Sequence, residues 1–395
     1  MDKIFIMNLG TTSFKFKLYQ CDAQTHEILA EGELESVGTG MSHWSLNSPD
    51  SQSWDGALPI PDHGVAFTHF IRLLQEKGIL KDLSDLDAVG YKAVHGGTLS
   101  GTCLVDDALI AEMERMIPLA PAHNPIYLAA MKSIHAQYPE LTQIARFETS
   151  FHSTIPDCRT TYGVPYAWRQ EMGIRKYGFH GSSHQYIAGK MRELQPDAGR
   201  VISCHLGGSS SICAIRDGRS VATTMGATPQ SGLFNNNRVG DFDVFAVSAV
   251  MARSGCSFQD VLKVLSRESG LLGISGVSND LREVLDAMNA GNAQAKLAVD
   301  TLIDNILGYI GMYIAYLGGL DALVFTGGIG TNSAYVRQKI CEELAWLGLK
   351  LDQDANGGLG DGKISAFDST VSVWRLKTNE ELVVAKCVWE ALHSL

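Results

Sequence analysis

A short pattern occurs twice in this chain, about two hundred residues apart, and it limits the fold more than any other feature. The first copy, Ile4 to Leu18, reads IFIMNLGTTSFKFKL. An apolar run leads into Leu9-Gly10, then a hydroxyl cluster (Thr11, Thr12, Ser13), then a segment in which Phe14, Phe16 and Leu18 alternate with Lys15 and Lys17. That alternation is the period of a half-buried strand. The second copy, Val201 to Gly218, reads VISCHLGGSSSICAIRDG. Here Val201–Cys204 is the first apolar run, Leu206-Gly207-Gly208 and Ser209–Ser211 form the tip, and Ile212–Ile215 runs back to the turn Asp217-Gly218. Each copy reads as a β-hairpin about a small-residue connection. Glycine lets backbone N–H groups approach an anion closely, and neighbouring hydroxyls can donate further hydrogen bonds. One such hairpin could equally be an ordinary turn with a Ser-rich tip. Two of them suggest two related lobes, each aiming a phosphate-binding turn at a shared cleft. A third glycine turn, Thr326-Gly327-Gly328-Ile329-Gly330, follows the apolar strand Leu323–Phe325 and leads into a helix.

A chain of 395 residues is long enough for two domains with separate cores. Its net charge is −11 with no basic run, which argues against nucleic acid or an anionic membrane as a partner. The N-terminus reads directly as a strand, without the layout of a signal peptide. The most apolar segment, Ile306 to Leu320, reads as a buried core helix shorter than a bilayer span. Eight scattered cysteines without a C-x-x-C pair imply free thiols, a reducing cytoplasm and no structural zinc.

Along the chain, residues 20 to 60 are polar and turn-rich, with Gly38 to Asp55 expected as a surface excursion. Helical spacing covers Val65 to Lys77, Ala108 to Met116 and a stretch from about Ile126. Tyr91-Lys92-Ala93-Val94-His95-Gly96-Gly97 reads as a strand ending in a glycine turn, a placement that would direct both Lys92 and His95 into a cleft, the plainer alternative being a solvated Lys beside a packed His. Pro121 and Pro125 fix a rigid loop about His123-Asn124. Ile144 to Glu148 is a further strand, and 153 to 175 is irregular. Gly181-Ser182-Ser183 should cap a helix from about Gln185 to Leu194, leaving His180 on the turn beneath it. Ala222 to Phe245 is a long Gly- and Asn-rich loop around Arg238, and loops of that length inside a compact lobe are usually functional. Helices follow at 258–266, 281–288, 293–320 and 335–347, a strand at 371–374, and a last helix at 382–392 capped by Thr378-Asn379.

The motifs NLGTTSFKFKL, AVHGG, LAPAHNP, FETSFH, YGFHGSSH, ISCHLGGSSS, SGLLGISGVSND, VFTGGIGTNS and TNEEL, in this order, closely resemble the acetate kinase family of short-chain carboxylate kinases, within the sugar-kinase and actin superfamily. The resemblance covers essentially the whole chain. It implies an α/β, two-lobed, actin-like (ribonuclease H-like) fold with a duplicated βββαβαβα core. The N-terminal lobe would be 1–150, completed by the C-terminal helix 382–395, and the nucleotide-binding lobe 151–381. It also implies ATP or ADP and Mg²⁺ as cofactors, a small carboxylic acid as partner, a cytoplasmic location and a homodimer.

Site roles follow from the matching positions. Asn8, Thr11, Ser13 and Lys15 would lie near the transferred phosphate, with Asn8 and Glu380 serving Mg²⁺. His180 and Arg238 would stabilise the phosphoryl group in flight, with Lys92 and Glu148 completing the catalytic set. His205, Gly207, Gly208, Ser209, Asp280, Arg282, Gly327, Gly328 and Gly330 would hold the nucleotide. Val94, Ala122, His123, Phe179 and Pro229 would form the acid pocket. The chain departs from the family pattern at several of these places. Lys92 stands for an Arg, Glu148 for an Asp, Gly208-Ser209 for Asn-Gly, Thr331 for a Glu, and Ala122 for a Leu. Lysine keeps the charge of arginine but loses its planar fork. Ala122 should widen the pocket toward acids larger than acetate.

A carboxylate acceptor is already ionised at neutral pH, so the chemistry needs positioning and charge neutralisation rather than a base. The expected activity is ATP-dependent phosphorylation of a short-chain acid to an acyl phosphate, in either direction. A nucleotide-binding relative with weak or no kinase activity and a regulatory role is the second reading. A sugar kinase lacks support because no catalytic-base Asp stands in a sugar-kinase motif.

Overall fold

In the computed structural model, which describes residues 1–394, the chain forms two compact units. One is Met1–Phe151 together with the segment from Asn379 onward; the other is His152–Thr378.

The first unit is built on an eight-stranded sheet. Its strands are β1 (Asp2–Leu9), β2 (Ser13–Cys21), β3 (His26–Glu35), β4 (Met41–Asn47), β5 (Ser53–Pro59), β6 (Ala88–Ala93), β7 (Thr102–Leu104) and β8 (Gln143–Phe147), in the order β5-β4-β3-β2-β1-β6-β8-β7. β1 runs antiparallel to β2 and parallel to β6, and β6 runs parallel to β8. Because side chains alternate across a strand, β1 feeds two cores. Phe5 faces one way, stacked on Phe16 at 4.4 Å and edge-on to Phe67 of the helix His63–Glu76. Ile4 and Ile6 face the other, packed with Ala88 and Ile144 against Val384, Ala385 and Val388 of the last helix, Glu380–Leu392.

The second unit carries six strands: β9 (Arg200–His205), β10 (Ser211–Arg216), β11 (Arg219–Thr223), β12 (Ala322–Thr326), β13 (Gly362–Lys363) and β14 (Ser372–Arg375). Their order is β11-β10-β9-β12-β14-β13. The run β3-β2-β1-β6-β8 of the first sheet and β11-β10-β9-β12-β14 of the second have the same plan, an antiparallel meander followed by two parallel strands. The duplicated actin-like core is therefore present once in each unit.

Three local expectations are corrected. Residues 20–60 are not a turn-rich excursion but the strands β3, β4 and β5. The Ser53–Pro59 strand contains Asp, Gly and Pro, all strand-poor residues, and it is specified instead by packing. A Cβ at Gly56 would sit 2.7 Å from the Trp44 ring, so only glycine lets that ring lie across the strand. The helix expected over 293–320 forms as Ala293–Leu317, and by length and composition the whole of it, unlike its most apolar part alone, could cross a membrane. Its Val299, Ile306, Ile310 and Tyr313 are buried in the second core with Ile202, Ile212 and Leu323. Finally, the helix Gly181–Leu194 begins earlier than its capping pattern suggests, so Ser182 and Ser183 lie in its first turn rather than ahead of it. Within 153–175 two short helices form, Asp157–Thr160 and Tyr166–Met172.

Candidate active site

In the first unit, the turn between β1 and β2 closes with Gly10 N–H donating to Ser13 O at 2.9 Å. A Cβ on Gly10 would lie 2.5 Å from Ser13 Oγ, so glycine is what allows the tight approach. Two groups hold the turn from behind. His63 Nε2 donates to Gly10 O at 3.0 Å, and the Tyr127 hydroxyl accepts from Leu9 N–H at 3.0 Å. Burial lowers the His63 pKa against the opposing pull of that hydrogen bond to Gly10, and burial pushes the Tyr127 hydroxyl up to about 12. Neither residue is conspicuous by sequence, since His63 merely opens an amphipathic helix and Tyr127 sits inside one.

The charged centre of this unit lies beside the turn. Lys92 at the end of β6 pairs with Glu380 of the last helix at 2.6 Å, with both side chains 14% exposed. Burial by itself would lower the Lys92 pKa, but Glu380 and Glu148 together outweigh it and hold the ammonium charged well above the usual lysine range. Glu148 is buried just past β8, its backbone N–H donating to Ala93 O at 2.8 Å. Asn8 Nδ2 donates to Glu381 Oε1 at 3.3 Å. Lys15 pairs with Glu33 on the neighbouring strand at 3.0 Å, about half exposed. Asn124 donates to the carbonyls of His95 and Met113, both at 2.9 Å, which fixes the loop carrying Ala122 and His123.

In the second unit, the β9–β10 tip is braced from inside. Ser210 Oγ bonds both Gly207 N–H and Gly207 O at 3.1 Å, and Ser210 N–H donates to Asn235 Oδ1. Ser210 and Ser211 are therefore structural, and of the three tip hydroxyls expected to face a phosphate only Ser209 is partly exposed. Arg238 Nη1 donates to Ser209 Oγ at 3.1 Å, and burial lowers the guanidinium's pKa. The loop holding Arg238 closes through Asn235 N–H to Arg238 O at 3.0 Å, and a Cβ at Gly270 would strike Asn235 O.

Beside the tip sits a cluster of imidazoles. His180 adopts a left-handed backbone (φ 57°) at the N-cap of Gly181–Leu194, a conformation non-glycine residues rarely take and one that concentrates at functional sites. Instead of capping the helix, its Nδ1 lies 2.9 Å from Ser211 Oγ, and its ring stacks on His205 at 4.3 Å. His205 Nδ1 meets Ser183 Oγ at 2.8 Å. His184 bonds Ser203 Oγ at 2.9 Å and Ser211 Oγ at 2.8 Å, while His152 donates from Nε2 to Phe179 O at 3.0 Å. Burial lowers the His152 pKa to about 4, and burial, with His152 and His205 adding to it, carries that of His184 well below the usual value.

A cavity of about 700 Å³ opens along the same unit, lined by Gly207, Gly208, Asn236, Asp280, Arg282, Leu285, Gly328, Ile329 and Ser333 among others. Such a volume suits a nucleoside. Asp280 caps the helix Leu281–Asn289 and pairs with Arg282 at 2.5 Å, a bond that lowers its pKa to about 2. Of the three turn glycines, Gly328 lines the cavity. Gly327 (φ +76°) packs instead against Leu206, whose carbonyl a Cβ would meet at 2.6 Å, and Gly330 N–H donates to that same carbonyl at 3.0 Å.

The structure thus brings Lys92, Glu148 and Glu380 together in one unit, and His180, His205, Ser209 and Arg238 with the nucleotide-side glycines in the other. Val94 is half-buried, Ala122 exposed and His123 half-buried in the first unit; Phe179 is buried and Pro229 half-buried in the second. The residues that sequence reasoning missed are second-line partners: His63, Tyr127, Ser183, His184, Ser203 and Asn235. Only the Asn235-Asn236-Asn237 run and the histidine spacing in YGFHGSSH hinted at any of them.

The sequence profile of the Acetokinase family matches residues 3–386. A propionate kinase of Citrobacter rodentium is 40% identical over 98% of this chain and 96% of its own length. An acetate kinase of Limosilactobacillus fermentum is 38% identical, with 97% of each chain covered. Among solved structures, the acetate kinase of Porphyromonas gingivalis superposes with a TM-score of 0.90 at 34% identity, with both chains fully covered. A propionate kinase from Francisella tularensis gives 0.89 at 33% identity, covering 98% of this chain and 99% of that one.

Proposed function

Because this chain belongs to the acetokinase family, we propose that it transfers a phosphoryl group between ATP and the carboxylate of a short-chain acid, making or consuming an acyl phosphate. The observation that carries this reading is the cavity in which the glycines of the second hairpin, Gly328 and the Asp280–Arg282 pair converge. Backbone N–H groups there can cradle phosphates, and the open side can take the nucleoside.

The chain's own residues then divide the work. Arg238, already held by Ser209 at the hairpin tip, offsets charge on the equatorial oxygens of the moving phosphoryl group. His180 donates a hydrogen bond to one of those oxygens. Lys92, expected beside the acceptor carboxylate, pairs with Glu380; in this role it orients that carboxylate and lends its charge to the acceptor's surroundings. Asn8 and Glu380 offer only hard oxygen donors, which suits Mg²⁺ held mainly by the nucleotide's phosphates with one or two protein ligands and waters. Among the described residues no group of three His, Cys, Asp or Glu forms a closed metal cage. When bound, Mg²⁺ neutralises charge on the phosphate oxygens.

Ala122 in the acid pocket leaves room for propionate or butyrate. We further place the protein as a homodimer, supported by the exposed Phe242, Val244, Phe245, Phe258 and Leu262, which light scattering in solution would check. Trapping the acyl phosphate as hydroxamate across acetate, propionate and butyrate tests the activity directly. ATP-dependent product on at least one acid is expected, and nucleotide binding without turnover on any acid would overturn the reading.

A further inference from the structure

The buried imidazole and hydroxyl groups behind His180 have a polarity that can be deduced from the bonds each can make. Ser203, in the middle of β9, is fully buried, and the one hydrogen-bond partner of its hydroxyl among the described residues is His184 Nδ1 at 2.9 Å. If that nitrogen carried the proton, the Ser203 proton would be buried without an acceptor, an arrangement folded proteins avoid. Ser203 therefore donates, and His184 Nδ1 accepts. In a neutral imidazole the remaining nitrogen carries the hydrogen. His184 Nε2–H accordingly donates to Ser211 Oγ at 2.8 Å. Ser211 has a single proton left to give, and His180 Nδ1 lies 2.9 Å from the same oxygen. Ser211 donates to it.

We propose that Ser203, His184 and Ser211 form a fixed hydrogen-bond relay that holds His180 as the neutral tautomer with its proton on Nε2. The three are positioning residues, acting on His180 rather than on substrate. Two geometric facts hold the members of the relay in place. His180 and His184 sit four residues apart at the start of one helix, with His184 N–H donating to His180 O at 3.0 Å, and Ser211 pairs across the sheet with His205, on whose ring His180 stacks. Burial, reinforced by the neighbouring His152 and His205, keeps His184 uncharged, as the relay requires. The consequence for the proposed reaction, on which this role rests, is that His180 presents a ready donor through Nε2. The opposite tautomer would present a lone pair to an anionic oxygen and repel it.

The test is a long-range ¹H–¹⁵N correlation spectrum of the full-length protein labelled at histidine, with His180 assigned by the signal lost in His180→Gln. The wild type should show Nε2 protonated and Nδ1 bare at His180 near neutral pH. Ser203→Ala should let His184 turn over its tautomer, mix the two forms at His180, and lower kcat by about tenfold while KM for ATP and acid stays within about twofold. Ser203→Thr, which keeps the hydroxyl, should restore both. A wild-type His180 protonated on Nδ1 overturns the relay without any variant, and so does a Ser203→Ala protein whose His180 spectrum is unchanged. The tautomer reading needs no turnover: a protein that makes no acyl phosphate yet shows Nε2–H would sink the proposed function and leave the relay standing.

Discussion

On one shared strand plan, the first unit places ions and the second places neutral rings and hydroxyls. At the ends of β6 and β8 the first unit sets a lysine among carboxylates, Lys92 with Glu380 and Glu148. On β9, β10 and the helix beside them the second unit buries Ser203, Ser211 and His184, with Arg238 the cation held at the tip. Buried charges must be paired to offset desolvation, and breaking a pair leaves the survivor stranded. A neutral network loses less when cut, but its donors and acceptors have a direction that ions lack. The same strand order thus supports two different devices, one that concentrates charge and one that orients it.

The largest break should come at the tip of the second unit. Arg238→Ala is expected to lower kcat by about a hundredfold or more, ~3–4 kcal/mol of barrier, with a small change in KM for ATP, measured by the hydroxamate assay. Next is the ionic side: Glu380→Ala should destabilise the first unit by about 3 kcal/mol in urea unfolding, because Lys92 is left buried beside one remaining carboxylate. The double change Lys92→Met with Glu380→Gln should recover most of that stability while abolishing turnover; a double variant as unstable as the single would show that packing, not charge, dominates.

Acid separates the units by sign. The His152 pKa is depressed from 6.5 to about 4, so its contribution is complete above pH 6.5 and is lost as pH falls toward 4, worth at most roughly 3 kcal/mol. Lys92 is shifted upward, so its contribution is complete below the ordinary lysine value and fades only in strong alkali. Hydrogen exchange at pH 7 and pH 5 should therefore show the strands around His152 and His184 opening first at the lower pH. Equal loosening of both units would break the contrast. The smallest effect concerns the acid. Each added methylene should raise kcat/KM by about fourfold, ~0.8 kcal/mol, up to the size of the pocket, and Ala122→Leu should reverse the order toward acetate.

How far the sequence reveals all this depends on what a local pattern can encode. Both hairpins were legible because glycine and hydroxyl clusters between alternating apolar runs have one dominant geometry; they pointed to two related lobes, and the duplicated core was what the family resemblance implied. The β4–β5 extension was not, because Ser53–Pro59 carries strand-poor residues and owes its conformation to the Trp44 ring lying over Gly56. The residues proposed to meet substrate were suggested by motif, but their supports were not. Ser203 reads as one small residue in a buried strand, and its meaning depends on a histidine that only the folded chain brings within 2.9 Å. Lys92 was legible as a cation, yet its partner Glu380 lies far along the chain, beyond the reach of any local rule.

The last helix bears on how this molecule is made. Val384, Ala385 and Val388 cover the face of the first sheet formed by Ile4, Ile6, Ala88 and Ile144, and the same helix delivers Glu380 to Lys92. During synthesis the ribosome emits the first sheet early and its cover very late, so an unshielded apolar face waits through translation of the whole intervening unit, an open invitation to chaperones or to aggregation. The same delay is a safeguard: no nascent chain can assemble its ionic centre before the whole second unit, His152–Thr378, has been made.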